Sequence, residues 1–585
     1  MPSRRASLAL VLVLLAPLWV LGMFDRGLWT PDEPREADIA WRMSIQPQHV
    51  LPELAGTPFL EKPPLSYWLS AAAIATFGSS AAAARVPNLF YALITTLAIG
   101  LLGFAMEGTG VAIVAALIAG SALIAYRVAV WLAPDAGLLA GSAVALLGAY
   151  YGYTSPGRLR KLLGYLLMHF GAALGFMAKS APGFIVPALA LLTLIVWERR
   201  FTELVRWELY AGVLLQAMLI GPWIVAVAHT PHGAESLRVL FWDNLAGRFA
   251  AVPAAAGHDY SQGHVNWRGK YWVELPVYLL PWTLLAAAGL RRAWREVKSA
   301  PATMGGARPT AWRFSLCACL PFLLLLSIAA TARDVYAAPA ILGFALLIGL
   351  WSKSLHEHAS AWDELSLRAT RGIVAIVTCA LVTALGILAA AEAPSPGRSR
   401  VFALALAVLF VGIVALRCAT RRQREKEYRA SVIATYAAYA AALVLSGCFI
   451  FPNVDRWQDL AALGRRIQTD SAAYDLAVLN PDETTIAMLD FRLRTAFTPL
   501  VAAPADIASV VADWIRTHGG RGEVLTMLPG HAPGDVTRLL ARWHPFAPSG
   551  DGLAGALQDA GIARIRARYE LPQGRRYALL AAPEK

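Results

Sequence analysis

The chain has 585 residues, 57% of them hydrophobic and only 16% charged, with a mean hydropathy of +0.50. That balance excludes an ordinary soluble domain, which carries more charge and less apolar content. Lys and Arg outnumber Asp and Glu by 52 to 39, a net charge of +13. The excess sits in short clusters between apolar runs, the pattern of cytoplasmic loops in a membrane protein and not that of a nucleic-acid surface.

The first apolar run, 6–24, follows Arg4-Arg5. It is long enough to span and lacks a small-residue cleavage site, so it reads as an uncleaved first helix and not a signal peptide. Twelve further runs fall at 82–105, 111–131, 136–153, 162–178, 182–197, 209–228, 271–290, 314–331, 336–351, 372–391, 401–417 and 430–451. About thirteen transmembrane helices are therefore predicted, each near the roughly 20 residues that a bilayer requires. With the N-terminus cytoplasmic, the main basic clusters all fall on the cytoplasmic side: Arg158 to Lys161, Arg199 to Arg206, Arg291 to Arg313, Lys353 to Arg371 and Arg417 to Arg429. The loops 25–81, 132–135, 179–181, 229–270, 332–335 and 392–400 then face outward, as does everything after 451. The five cysteines lie in or at the ends of apolar segments. Cys317 and Cys319 have no nearby His or third Cys, so they read as small apolar fillers, with no disulfide expected.

In the outward loop 25–81, Glu36 to Met43 is predicted as a short helix. Pro64 to Phe77, about 14 residues, is too short to span and is predicted to lie along the interface as an amphipathic helix. The domain plan is a transmembrane region over 1–451 and a small α/β domain over 452–585. In that tail, 476–479, 524–528, 562–565 and 577–580 read as strands, and 506–517 and 534–543 as helices.

Charge in such a chain needs a reason. Asp32-Glu33 lies just beyond the first apolar run and Glu61-Lys62 further along the same loop, stiffened by Pro31, Pro34, Pro63 and Pro64. A carboxylate beside a fixed cation suits a reaction that orients and deprotonates an acceptor while an anionic leaving group departs. The plainer alternative is a polar loop with surface ion pairs, which are energetically minor. Asp135, Lys179, Asp243-Asn244, Arg248, His258, His264, Arg268, Lys270 and Arg333 to Tyr336 fall on the same predicted face. Each alone is more often an anchor, but ionisable groups gathered at helix mouths are functional candidates.

The run Asp32 to Met43 and the run Phe59 to Trp68 resemble the first outer loop of bacterial polyprenyl-phosphate-sugar-dependent glycosyltransferases, the protein O-mannosyltransferase-like superfamily. The likeness is closest to its lipid A aminoarabinose transferase branch. It continues through Asp135, Phe176 to Gly183, Pro222-Trp223, Asp243 to Phe249, Leu280-Pro281-Trp282 and Arg333 to Pro339. It departs at Pro34, where those enzymes usually carry a more polar residue, and at Ala332-Arg333-Asp334, which replaces a lysine-rich turn. The resemblance implies a type C glycosyltransferase fold: a polytopic α-helical membrane protein with an outer α/β domain. It implies catalytic roles for Asp32, Glu33 and Asp135, and donor-phosphate contacts from Lys62, Arg268, Lys270 and Tyr336. Arg35, Glu61, Lys179 and Asn244 would support them. No cofactor is firmly expected. A divalent metal held as in some relatives, near a glutamate and a histidine, would here fall to Glu61 and His264, two ligands being too few to define a site.

The expected partners are an undecaprenyl-phosphate-linked sugar, a lipid A, surface-glycan or protein acceptor, and membrane lipids, with no nucleic acid. The expected state is a monomer in the bacterial inner membrane, with active site and tail periplasmic. The other classes left open are a lipid or solute transporter, which would show internal repeats and ionisable groups near the midplane, and a scaffold that presents the tail.

Overall fold

The computed structural model describes residues 4–46, 50–244, 266–299, 307–391, 398–452, 455, 460–471, 475–495, 497, 499–530, 550–571 and 574–583. Its contacts divide the chain into two units. The first comprises Met1–Phe24, Leu60–Ser66 and Arg85–Ile450; the second comprises Asp25–Phe59, Tyr67–Ala84 and Phe451–Lys585.

The first unit is helical. All thirteen predicted runs carry helix, but among the described residues nine helices are long and apolar enough to cross a membrane, or up to eleven if each of two bent pairs counts as one span. The predicted thirteen is thus not confirmed among the described residues. Arg4–Val20 and Pro182–Trp197 are helices of 17 and 16 residues, shorter than the roughly 20 residues a span requires. The run 111–131 is broken into Thr109–Ser121 and Leu123–Val130, bent by 64°, and 271–290 falls within Lys270–Tyr278 and Thr283–Ser299, bent by 115°. Pro281 in the second break has no N–H to continue a helix. The breaks satisfy each other. Leu123 N–H donates to Leu280 O at 2.9 Å, and Trp282 Nε1 donates to Ser121 Oγ at 3.1 Å. Irregular backbone at membrane depth is tolerated when buried in protein and paired in this way.

Helices Asp135–Thr154 and Arg158–Lys179 form the tightest pair, through a seam of glycines. A Cβ on Gly141 would lie 2.4 Å from Gly175 N, and one on Gly148 would lie 2.2 Å from Met168 N. Only hydrogen fits there, so the backbones approach closely. This is the small-residue packing that replaces the hydrophobic effect between helices in lipid. By contrast, Phe402–Arg424 turns Leu406, Phe410 and Val414 outward, as a lipid-facing helix does.

The second unit is built on a five-stranded mixed sheet, in the order β2-β1-β3-β5-β4, where β1 is Asp475–Leu479, β2 Pro499–Leu500, β3 Gly522–Met527, β4 Arg564–Glu570 and β5 Arg576–Ala581. Strands β1, β2 and β3 are parallel, and β5 pairs antiparallel with β3 and β4. Side chains alternate across it with period two. Val478, Leu525 and Leu579 face one core with Leu463, Ile467 and Leu489. Leu479, Val524 and Leu580 face the other with Val511, Ile515 and Leu557. The predicted strands are present, with the third shifted to 564–570, and the helix predicted at 506–517 runs over Ile507–Thr517. The helix predicted at 534–543 lies outside the described residues. Helices Ala461–Asp470, Glu483–Leu493 and Gly552–Asp559 complete the α/β layers.

Two expectations for the loop 25–81 need correction. The helix predicted from Glu36 begins at Asp32 and runs to Ile45, so Asp32 and Glu33 form its first turn. Carboxylates there face the unpaired N–H groups and positive end of the helix, which favours them. The helix Leu65–Phe77 is apolar all round and not amphipathic. Its Ser66 and Ser70 are buried while Leu69 and Phe77 are exposed, and Ser70 Oγ donates to Ala84 O at 2.9 Å.

Candidate functional site

In the first unit, the glycine seam sets the two helices so that the start of one meets the end of the other. Asp135, expected in a turn, is the first residue of Asp135–Thr154, and Lys179 is the last of Arg158–Lys179. Each charge sits at the helix end whose dipole favours it. Lys179 Nζ is hydrogen-bonded to Asp135 Oδ1 and lies 4.8 Å from the centre of the Tyr336 ring. Tyr336 lies in the short 3-10 turn Asp334–Ala337, just before the helix Ala338–Ser354. Three helix ends thus gather a carboxylate, an ammonium and a phenol. The side chains of Asp135 and Lys179 are 9% and 13% exposed, dry enough for their fields to act strongly and open enough to be reached.

Glu61 Oε2 and Lys62 Nζ are 3.7 Å apart. Asn244 Nδ2 donates to Leu60 O at 2.6 Å and so fixes the residue before them. Arg268 is exposed, and Lys270 Nζ lies 4.0 Å from Glu274 on its own helix. The segment that carries both is tied to the approach to Tyr336. Asn266 Nδ2 donates to Ala329 O at 2.7 Å, and Tyr271 OH donates to Arg333 O at 3.2 Å. His264, His258 and Arg248 lie outside the described residues. Among the described residues no three His, Cys, Asp or Glu side chains are grouped to hold a metal.

In the second unit, Asp32 and Glu33 have opposite fates. Glu33 is fully buried. It takes two hydrogen bonds from Arg26, Nη1 to Oε2 at 2.5 Å and Nη2 to Oε1 at 2.8 Å. It takes a third from Trp29 N–H at 2.8 Å. With both oxygens engaged in a dry pair, Glu33 holds the helix entry. Asp32 is 23% exposed and its Oδ1 accepts from Arg35 Nη2 at 2.6 Å. Asp32 is therefore the accessible carboxylate of the pair. Further along the helix, Arg42 lies between Asp38 (Nε to Oδ2, 3.4 Å) and Asp490, to which its Nη2 is hydrogen-bonded. Burial, and then the charge of Asp490, raise the carboxyl of Asp38 well above the usual range. Burial also raises that of Asp490, to about 6.

Sequence reasoning missed Arg26, Arg42, Asp490 and Arg127, which pairs with Asp334 two residues before Tyr336. Arg127 had a signal, a charge inside the apolar run 111–131. Asp490 had none.

The family described as dolichyl-phosphate-mannose-protein mannosyltransferase matches residues 61–225. That match covers less than a third of the chain. Among curated proteins, the chain is similar to aminoarabinose transferases. An undecaprenyl phosphate-α-4-amino-4-deoxy-L-arabinose arabinosyl transferase of Pseudomonas aeruginosa (strain UCBPP-PA14) is 29% identical over 350 residues, 59% of this chain and 60% of the relative. The one from Erwinia tasmaniensis is 26% identical over 406 residues, 67% of this chain and 68% of that one. The chain thus spans about 60% of the Pseudomonas relative's length in the matched region. The crystal structure of ArnT from Cupriavidus metallidurans, bound to undecaprenyl phosphate, shares the fold over 99% of both chains, with TM-score 0.69 and 16% identity. The oligosaccharyltransferase of Archaeoglobus fulgidus matches 90% of this chain and 70% of its own, with TM-score 0.50 and 12% identity. The chain is a polytopic helical membrane protein with a small C-terminal sheet domain.

Proposed function

We propose that the protein is an inverting glycosyltransferase that moves a sugar from undecaprenyl phosphate onto a periplasmic acceptor, lipid A or lipopolysaccharide, in a transfer of the aminoarabinose type. One observation carries the reading: a chain similar to undecaprenyl-phosphate aminoarabinose transferases sets Asp135, Lys179 and Tyr336 together at three helix ends. The relatives' names supply the donor class and the chemistry fits it. The leaving group is a lipid phosphate, already a stable anion. Lys62, Arg268, Lys270 and Tyr336 are assigned to that phosphate, where cations and a phenol stabilise the charge that develops as the sugar–oxygen bond breaks. Asp135 and Lys179 support them.

The acceptor hydroxyl attacks the opposite face of the sugar carbon and the configuration inverts. Asp32 aligns that hydroxyl and takes its proton late, because a carboxylate is too weak a base to remove it beforehand. Glu33, engaged by Arg26, positions the helix start and performs no proton transfer. The N-terminus is assigned to the cytoplasm, and the C-terminal domain to the periplasm, from the placement of basic clusters.

The test is a membrane assay with a labelled undecaprenyl-phosphate sugar pool. Label is expected in lipid A, and label in protein or polysaccharide instead would reassign the acceptor. Asp32→Asn is expected to abolish transfer while the protein stays in the membrane; full activity in that variant removes Asp32 from the mechanism.

A further inference from the structure

The helix that begins at Asp32 has a partner of matching period in the C-terminal domain. Arg35 Nη1 reaches Glu483 Oε2 at 2.7 Å, and Arg42 is hydrogen-bonded to Asp490. The arginines are seven residues apart, and so are the acids. Seven residues are almost two helical turns, so each pair of side chains shares a face. The two helices, Asp32–Ile45 and Glu483–Leu493, therefore run side by side in the same direction, joined by two arginine–carboxylate rungs about 10 Å apart. Thr484 Oγ1 adds a bond to Pro31 O at 3.3 Å, immediately before Asp32.

The upper rung bears on the candidate chemistry. Arg35 is forked: Nη2 to Asp32 Oδ1 at 2.6 Å, Nη1 to Glu483 Oε2 at 2.7 Å. Arg35 is only 12% exposed, so its charge is weakly screened, and it is shared between two carboxylates. Glu483 is itself fixed at the first residue of its helix. The preceding Asp482 accepts from Thr485 N–H at 3.2 Å and from Arg575 at 2.8 Å.

We propose that Glu483 is a positioning residue for the transferase reaction, acting on Asp32 through Arg35. Glu483 holds one arm of the guanidinium so that the other presents a fixed donor to Asp32. By taking part of the arginine's charge it also leaves Asp32 more basic than a private Arg–Asp pair would. Of the other charges on these two helices and their flanks, Glu33 is neutralised by Arg26, Asp482 by Arg575, and Asp38 and Asp490 share Arg42, while Asp455 takes the N–H groups of Gly27 and Trp29; Glu36 is buried one turn on from Asp32, and Arg492 lies in the last turn of the partner helix. This inference rests on the reading of Asp32 given above.

The test is Glu483→Gln in the full-length protein, which keeps a hydrogen-bond acceptor for Arg35 and removes the charge. The expected result is kcat lowered roughly 3- to 10-fold with donor KM unchanged. The acidic limb of the pH–rate profile should move down by about half a pH unit, because Arg35 then bears on Asp32 alone. In an Arg35→Gln background the same change is expected to move the limb no further. A wild-type limb and turnover per folded molecule in Glu483→Gln, whatever its thermal stability, overturns the proposal. Retained transfer in Asp32→Asn overturns the reading beneath it; an inactive Asp32→Asn with an unmoved Glu483→Gln limb overturns only the role of Glu483.

Discussion

Adjacent carboxylates of the same chemical class, Asp32 and Glu33, are separated by their partners. Glu33 has no exposure and three donors; Asp32 is part-exposed and bonded to Arg35. Breaking a buried pair by removing one partner strands the other charge, at about 3–5 kcal/mol. Glu33→Gln is therefore expected to lower the yield and thermal stability of folded protein, since Arg26 then sits buried against an amide. The folded fraction should keep near-normal turnover. Normalising transfer to folded protein by size-exclusion chromatography checks this, and a well-folded but inactive Glu33→Gln would return Glu33 to the chemistry. Both residues were visible in the sequence as an Asp-Glu dipeptide beyond an apolar run. What distinguishes them was not, because Arg26 looks like any other loop arginine until its side chain is seen.

At the scale of elements, the paired helices Asp32–Ile45 and Glu483–Leu493 store a titratable contact. Asp38 and Asp490 share one guanidinium, and burial raises both carboxyls, that of Asp490 to about 6. Asp38 also accepts from Ala55 N–H at 3.1 Å and Asp490 from Phe497 N–H at 3.0 Å. A carboxyl whose pKa is raised on folding binds protons more tightly in the native state. Its contribution to stability is fully present below the unfolded value near 4 and is lost as pH rises through about 6. The melting temperature of the detergent-solubilised protein is thus expected to fall by about 1 °C between pH 5 and 7.5 on this account. Asp490→Asn should flatten that dependence, and an unchanged slope in the variant would show that the pair does not titrate there. The heptad spacing of Arg35 and Arg42 was legible; its partner was not, since nothing in 483–493 marks it as the neighbour of a helix some 450 residues earlier. The glycines of 135–179 were likewise present in the sequence but said nothing alone about which backbone each would meet.

At the scale of the molecule, one chain forms two compact units, and the loop 25–81 is divided between them. Asp25–Phe59 groups with the C-terminal stretch, so the α/β domain is the folding partner of the helix that carries Asp32. A chain ended at Ile450 is expected to keep its membrane helices yet lose transfer, and its residues 25–59 should become sensitive to protease. Survival of activity in that truncation would assign the domain to a dispensable role. The two bent pairs belong to this scale too. Apolar length alone predicted straight spans at 111–131 and 271–290, and it is the mutual bond of Leu123 and Leu280 that makes breaks affordable at both places.

The sequence by itself determined the membrane class, the helical character of thirteen apolar runs and the alternating faces of the C-terminal strands. It also marked out Asp32, Glu61-Lys62, Asp135, Lys179 and Tyr336 as residues to examine. These follow from composition, local periodicity and short motifs, which are read within a few residues. The tertiary structure alone decided that Asp135 and Lys179 meet over Tyr336, that Glu33 is sealed while Asp32 is not, and that Glu483 and Asp490 reach the helix of Asp32. Those facts depend on which buried charge finds which partner across the fold. The cost of leaving a charge unpaired makes such choices strict, but it does not write them into the neighbouring residues.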